Sequence, residues 1–352
     1  LNDHVRIDIT PPQRVLVTGA SGFIGGRLVR RLIERQAHVS CLVRSSSHID
    51  DLRATGADLI VGDVNDHVSV ERALAQSQAR TVFHLAGLVR ALHRDDFMRA
   101  NASGVENVAA ACARCAAPPA LIVVSSLAAA GPCDVAGEQR VEGDAPAPVS
   151  HYGHSKLAGE QAATRYGDAV PITIVRPPIV YGSGDRAVLE MIRPIARRGL
   201  HVVPGPRGAD RRFSLIHVDD LVEGLLLAAE KGERLTAHGS PCGQGIYFLA
   251  GQACPTYVEL GQAMAIALER KPPKLLYVPR PIMRFAGILA DMTAWIRRRP
   301  GWVSRDKITE ALAGSWTCSS AKAHTQLGWK PAGDLAQRLR ETVQGYQQAK
   351  WL

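Results

Sequence analysis

The sequence predicts an α/β fold: a doubly wound parallel sheet with a smaller, mainly helical C-terminal region interleaved with it. Three observations predict this. Short apolar runs alternate with amphipathic stretches through the first half of the chain, the pattern of parallel strands joined by right-handed helical crossovers. The first run passes directly into a glycine-rich loop, TGASGFIGG. Beyond Arg176 the alternation gives way to dense Pro and Gly.

The elements follow in order. Val15 to Thr18 reads as a buried strand, and Ile24 to Glu34 as a helix with Ile24, Leu28, Leu32 and Ile33 on one face. His38 to Val43 is the second strand. A helical stretch at Asp50 to Ala54 leads to a third strand, Asp58 to Val61. Val68 to Ala75 is helical, Thr81 to Leu85 a strand, Asp95 to Ala117 one long helix, and Leu121 to Ser125 a strand. Ser155 to Tyr166 is helical and Pro171 to Val175 a strand. Later, Leu221 to Ala229 (helix) and Ile246 to Leu249 (strand) read as returns to the core, and Ala336 to Gln348 as a closing amphipathic helix. Residues 13–176, with 213–230 and 245–250, therefore form a nucleotide-binding domain of the Rossmann type. Residues 177–212 and 251–335 form a substrate region, and 336–352 a terminal helix.

The composition excludes several classes. Of 352 residues 46% are hydrophobic and 21% charged, a globular balance rather than a disordered one. No apolar run approaches the ~20 residues of a membrane span. The opening LNDHVRIDITPPQ lacks the basic-then-apolar order of a secretory leader. The 7 Cys suit a reducing compartment, so a cytoplasmic protein is expected. Cys112 and Cys115 form one C-x-x-C in an Ala-rich helical stretch, with no second pair, and read as packing rather than as a metal site.

The glycine loop carries the first chemistry. Gly19 permits a tight turn, Gly22 lets backbone approach a pyrophosphate, and Gly25 lets the helix pack on the sheet. The helix N-terminus then faces the anion. Ser21, Phe23 and Ile24 complete the cofactor-facing set. Tyr152 and Lys156, four apart at a helix start, share a face. A neighbouring ammonium favours the phenolate of a group that is otherwise a poor base near neutrality. Tyr152 can then pass a proton to or from a substrate oxygen.

These motifs, in this order, resemble the extended branch of the short-chain dehydrogenase/reductase superfamily, the NAD-dependent epimerase/dehydratase family. GDVND, Gly62 to Asp66, is similar to the segment beside adenine, which implies Asp63 as a contact to the ring amine with Val64 beside it. HLAG resembles the cofactor-lining turn and implies Leu85, Ala86 and Gly87. NASGVENV resembles the helix with an internal Asn, Asn101, as a proton relay, a backbone brace or a plain helix-interior polar group. Alignment through Gly131 implies Ser126 as the catalytic hydroxyl and Ser125 as a cofactor neighbour, a pair that one residue of slip would exchange. Pro177, Ile179 and Val180 would line the nicotinamide side. In FSLIHVDDL, Asp219 and Asp220 read as caps of a helix. The resemblance also implies a homodimer through the long helices.

The cofactor follows from the second strand's end, Leu42-Val43-Arg44-Ser45-Ser46, which lacks the acid that binds the ribose hydroxyls of NAD. Arg44 instead offers a donor fork for a 2′-phosphate. NADP(H) is preferred and NAD(H) stays open.

Three features bear on the substrate. Ile179 stands where sugar-nucleotide members carry Asn, and Leu127 and Ala128 stand where dehydratases carry Asp-Glu. The C-terminal segment is similar to dihydroflavonol reductase and 3β-hydroxysteroid dehydrogenase-like members. The leading expectation is hydride transfer between NADP(H) and a ketone or secondary alcohol of an apolar small molecule, which can be steroid-, flavanonol- or ketoacyl-like and can carry an acidic group. The alternatives are an NAD-dependent sugar-nucleotide epimerase and a non-catalytic NADP-binding regulatory protein, against which the intact Ser126, Tyr152 and Lys156 stand.

The net charge of +9 is localised: residues 270–307 hold ten bases against Asp291 and Asp306. In the same stretch Ile282, Phe285, Ile288, Leu289, Met292 and Trp295 recur at helical spacing, as core, as a pocket wall or as a membrane contact. The bases read as a solvated face, as a site for an acidic apolar substrate, or as a peripheral contact with anionic membrane. Nucleic acid is not expected, because the bases lack interleaved stacking aromatics.

Overall fold

A computed structural model describes residues 13–133, 137–208, 210–237 and 242–352. The reading of a leader falls on residues 1–12 and lies outside them. The main sheet has seven strands: β1 (Arg14–Thr18), β2 (His38–Val43), β3 (Asp58–Val61), β4 (Thr81–His84), β5 (Ala120–Val124), β6 (Ile172–Arg176) and β10 (Ile246–Phe248). Their order is β10-β6-β5-β4-β1-β2-β3 and every pairing is parallel. The chain steps outward from β1 in one direction, then returns to β4 and steps outward in the other. The strand order thus reverses between β1 and β4, and ligands of such sheets bind at the carboxyl ends beside that reversal.

Both faces of the sheet are covered, which explains why its strands read as continuous apolar runs. α1 (Phe23–Glu34) and α9 (Val218–Lys231) cover one face, where Leu28, Leu32, Leu221 and Leu225 pack against Val15, Val17 and Ile122. α3 (His67–Ser77) and α5 (Gly104–Ala113) cover the other, packing Val70, Leu74, Val105 and Val108 against Leu16, Val82 and Leu121. β10 extends the sheet beside β6, so the chain comes back to it after residue 213.

Several boundaries differ from expectation by a residue or so, and two differences have causes. The expected helix from Asp95 to Ala117 is instead α4 (Arg94–Met98), a π-helical turn at Arg99–Ser103, and α5. α5 stops four residues early, and Pro118 and Pro119 follow soon after; residues ahead of Pro disfavour the helical region. α7 (His151–Thr164) starts four residues before the expected Ser155, because the Ser150 side chain caps it by accepting the Gly153 amide at 2.9 Å.

The region after Arg176 holds more strand than expected. β7 (Ile179–Tyr181) pairs in parallel with β9 (Leu215–His217), and β8 (Leu200–Pro204) with β11 (Lys274–Val278). α8 (Ala187–Arg198), α10 (Tyr257–Ala267), α13 (Ala321–Leu327) and α14 (Leu335–Gln348) complete the packed part. α11 (Arg280–Arg297) and α12 (Arg305–Leu312) stack on one another. Asp219 and Asp220 do not cap α9. Its cap is His217, whose Nδ1 accepts the Asp219 amide, while Asp219 pairs with Arg27 and Asp220 with Arg338. Cys112 is buried in α5, and among the described residues no group of three His, Cys, Asp or Glu is placed to hold a metal. Among the same residues no helix is long and apolar enough to cross a membrane.

Candidate active site

The glycine loop leaves β1 at the reversal point. Gly19 has φ +71°, and a Cβ there would lie 2.6 Å from the Ala86 amide nitrogen. A Cβ on Gly25 would lie 2.2 Å from the Gly19 carbonyl oxygen, so α1 packs on the loop only with glycine at that position. At Gly22 the nearest atom would be Gly19 O at 3.2 Å, which leaves that flank open. No side chain caps Gly22, so the first-turn amides of α1 have no partner from that residue. Ser21 and Gly22 are exposed, Phe23 and Ile24 half-buried. This open, uncapped cradle fits a pyrophosphate.

The neighbouring strand ends converge on the loop. After β4, the Leu85 amide donates to Thr18 O at 3.1 Å and the Ala86 amide to Thr18 Oγ1 at 3.3 Å. Gly87 lies against Asn101 and Lys156, since a Cβ there would be 2.7 Å from Asn101 Oδ1 and 3.8 Å from Lys156 Nζ. Beyond β3, Asp63 Oδ1 accepts both the amide and the side chain of Asn65 at 2.9 Å, and Val64 O accepts Asn107 Nδ2. Arg44 is exposed at the end of β2. Pro177 is buried, and its carbonyl accepts the Leu127 amide at 2.8 Å. Ile179 and Val180 follow, half-buried in β7.

Asn101 braces this cluster. Its Oδ1 accepts the Leu88 amide at 2.7 Å, and its Nδ2 donates to Leu88 O and to Ser155 Oγ, each at 2.9 Å. These bonds tie the loop after β4 to α7 through the π turn. α7 approaches that turn closely: a Cβ on Gly159 would lie 2.2 Å from Asn101 O.

The two serines after β5 have separate partners. Ser125 donates to Glu160 Oε1 at 2.5 Å, and Glu160 holds Arg176 in a bidentate pair at 2.6 and 2.9 Å, both side chains buried. Ser126 instead stands near the Tyr152 phenol and lowers its proton affinity, and its Oγ accepts the Ala128 amide at 3.1 Å. Lys156, buried, donates to Val124 O at 2.7 Å, and burial pushes its ammonium down to about 8.

The matches to known proteins point the same way. A model of the NAD dependent epimerase/dehydratase family matches residues 15–239. The chain belongs to the NAD dependent epimerase/dehydratase family. Among similar proteins, the ceramide reductase of Caulobacter vibrioides is 31% identical over 96% of both chains. A 4-hydroxy-2-methyl-3-oxo-4-farnesyl-3,4-dihydroquinoline-1-oxide ketoreductase of Stigmatella aurantiaca is 32% identical over 73% of this chain and 72% of its own. Among solved structures, gox2253 superposes with a TM-score of 0.74 at 25% identity, over 95% of this chain and 98% of that one. This family member is an NAD(P)-dependent oxidoreductase of the short-chain dehydrogenase/reductase type.

In this epimerase/dehydratase family member, sequence reasoning missed part of the surroundings of Tyr152. α12 docks against the head of α7. Asp306 accepts the amides of His151 at 2.7 Å and Tyr152 at 3.3 Å, placing an anion at the positive end of the helix. Glu310 accepts the Ser150 hydroxyl at 2.6 Å and Lys307 Nζ at 2.8 Å. Lys307 in turn lies 4.6 Å from the centroid of the Tyr152 ring, and Phe97 packs its ring 6.1 Å from the same centroid. Burial raises the phenol above its ordinary value, and the Lys307 ammonium and the Ser126 hydroxyl pull it back. Phe97, Lys307, His151 and His154 also line a cavity of about 890 Å³ whose far wall is α11. No local signal marked α12, since its contacts join distant parts of the chain.

Proposed function

We propose that the protein is an NADP(H)-dependent reductase or dehydrogenase that interconverts a ketone and a secondary alcohol on an apolar substrate, with Ser126, Tyr152 and Lys156 as its catalytic residues. The observation that carries this reading is the Tyr152 phenol, with Ser126 near it and a cation over its ring, beside a large cavity with an apolar wall. The chain's similarity to a ceramide reductase and to a ketoreductase of a farnesyl-bearing ring supports a lipophilic ketone.

Each residue has a role in this reading. The loop from Gly19 to Gly25 holds the pyrophosphate, with Asp63, Val64, Leu85, Ala86 and Gly87 along the nucleotide and Pro177, Ile179 and Val180 on the nicotinamide side. The nicotinamide supplies or accepts the hydride when bound. Tyr152 donates its phenolic proton to the carbonyl oxygen in reduction and takes it back in oxidation. Ser126 donates a hydrogen bond to the same oxygen as its charge develops. Lys156 serves the nicotinamide ribose, and the charge that holds down the phenol's proton affinity is that of Lys307. Residues 13–176 with 213–230 and 245–250 serve the nucleotide; 177–212 and 251–335 serve the substrate. A homodimer through the long helices belongs to the same reading, as does peripheral contact with anionic membrane.

Preference for NADP(H) rests on Arg44, exposed where NAD-binding relatives would carry an acid. Hydrogen bonds to a charged group contribute about 1.5–3 kcal/mol, so Arg44→Ala weakens NADPH binding roughly 10- to 100-fold and leaves NADH binding alone. Fluorescence titration reads both. Equal losses for the two cofactors would remove the preference. A cofactor-oxidation screen over ketosteroids, flavanonols, 3-ketoacyl compounds and sugar nucleotides tests the chemistry. Turnover of a sugar nucleotide without net NADPH consumption would replace the reductase with an epimerase.

A further inference from the structure

A surface helix of a globular protein turns its large apolar residues inward. α11 does the reverse. The residues it buries are small, Gly287 and Ala294. A Cβ on Gly287 would lie 2.8 Å from Ile308 Cδ1, so the small face is the one pressed against α12. The large residues lie on the other side and stay exposed: Ile282, Phe285, Met292, Trp295 and Ile296 are 56–70% exposed, and the last three also edge the cavity. Their spacing keeps them on one side of the helix over its whole length. The expectation of a satisfied core for this segment is therefore overturned. Packing α11 closely on α12 requires small side chains at the contact, and that leaves the large ones outside.

Cations edge the stripe. Arg280 and Arg284 lie at its first turns, and Arg297, Arg298 and Arg299 at its end. Among the described residues none of these five is paired with a carboxylate, whereas Arg305 nearby is paired with Asp291. We propose that this face docks on an anionic bilayer, with α11 lying in the plane of the interface, and that the enzyme takes a lipid ketone or alcohol from that bilayer. An exposed apolar stripe with arginines at its borders suits the boundary between acyl chains and anionic headgroups. A second copy of the chain suits it poorly. A two-fold interface brings the same patch against itself, and here it would set the two arginine arrays together.

The docking face is continuous with the cavity. Ile288, Met292, Trp295 and Ile296 of α11 line the same 890 Å³ space as Phe97 and Lys307, the residues that flank Tyr152. An apolar chain leaving the bilayer along α11 meets that cavity without crossing water. The docking stands on α11 alone; the delivery of substrate rests on the carbonyl–alcohol chemistry proposed above.

Flotation of the full chain with vesicles tests the docking. Phosphatidylcholine mixed with phosphatidylglycerol should carry the protein up the gradient, phosphatidylcholine alone should not, and added salt should release it. Replacing Arg297, Arg298 and Arg299 together by Gln should weaken binding roughly 100-fold, since each base near an anionic surface contributes about 1 kcal/mol. Ile282→Ser with Phe285→Ser should abolish it; neither side chain lines the cavity. Both variants should still bind NADPH, which shows that they are folded. Binding indifferent to salt and to the arginine changes overturns the proposal. So does a wild-type dimer, seen by sedimentation, that ignores vesicles and falls apart in the Ile282/Phe285 variant. Tyr152→Phe separates the two readings: it should lose turnover of a water-soluble ketone and keep floating, whereas the arginine variant should keep that turnover and stay at the bottom.

Discussion

The ammonium of Lys307 stands 4.6 Å from the centroid of the Tyr152 ring, brought there from the opposite half of the chain by α12. Its charge opposes the rise that burial imposes on the phenol. Lys307→Gln removes that opposition, so the phenolate needed for alcohol oxidation forms only at higher pH. The acidic limb of kcat/KM for oxidation should move to the alkaline side, with NADP(H) affinity unchanged. A pH profile that superposes on that of the wild type would make Lys307 a packing residue only.

Tyr152→Phe removes the hydroxyl proposed as the proton donor and keeps the ring that packs on Phe97. Positioned acid–base groups contribute roughly 10²–10⁴-fold. Turnover should fall by that factor in steady-state assays, while NADPH binding and thermal midpoint stay near wild type. Retained turnover would place the proton transfer elsewhere.

Glu160 is a structural prediction. It pairs with buried Arg176 through Nε and Nη2 and accepts the Ser125 hydroxyl. Removing one partner of a buried pair leaves an uncompensated charge and costs about 3–5 kcal/mol. Glu160→Gln should show that loss in urea unfolding. Glu160→Leu with Arg176→Met should recover most of it, because the stranded guanidinium is then gone. A double variant as unstable as the single one would assign the loss to packing.

His84 should make the fold acid-sensitive. It is buried at the end of β4, bonded through Nδ1 to Thr18 Oγ1 at 2.8 Å, and burial pushes its pKa down to about 3. The unfolded chain binds its proton near ~6.5. The native state thus prefers neutral His84, and its contribution to stability is complete above that pH. It is lost progressively as pH falls from there toward about 3. Urea midpoints measured across this window should decline, and more shallowly in His84→Gln. Parallel slopes would assign the acid sensitivity to other groups.

Legibility in the sequence followed the range of the forces involved. The loop from Gly19 to Gly25 was readable because a tight turn, a strand before it and a helix after it are all local. So was the placing of Tyr152 and Lys156 four apart on one helix, which needs only the helical repeat. The choice between Ser125 and Ser126 was not, because adjacent residues leave a strand in opposite directions and only the placement of α7 decides which one meets Tyr152. For Asn101 the sequence left a proton relay, a backbone brace and a helix-interior polar group open. Its role as a brace depends on Leu88 and Ser155, which its own helix does not contain.

By itself the sequence determined the alternation of strand and helix, the glycine-rich turn after β1, the family and the stripe of apolar residues in α11. Each is written in periodicity or in short contiguous motifs. The tertiary structure alone decided which way that stripe faces, which serine meets the phenol, and that Asp306, Lys307 and Glu310 gather at the head of α7. Periodicity says that residues share a side but not what stands opposite. That is settled by the packing of distant segments, where a small glycine can turn a helix's large residues outward.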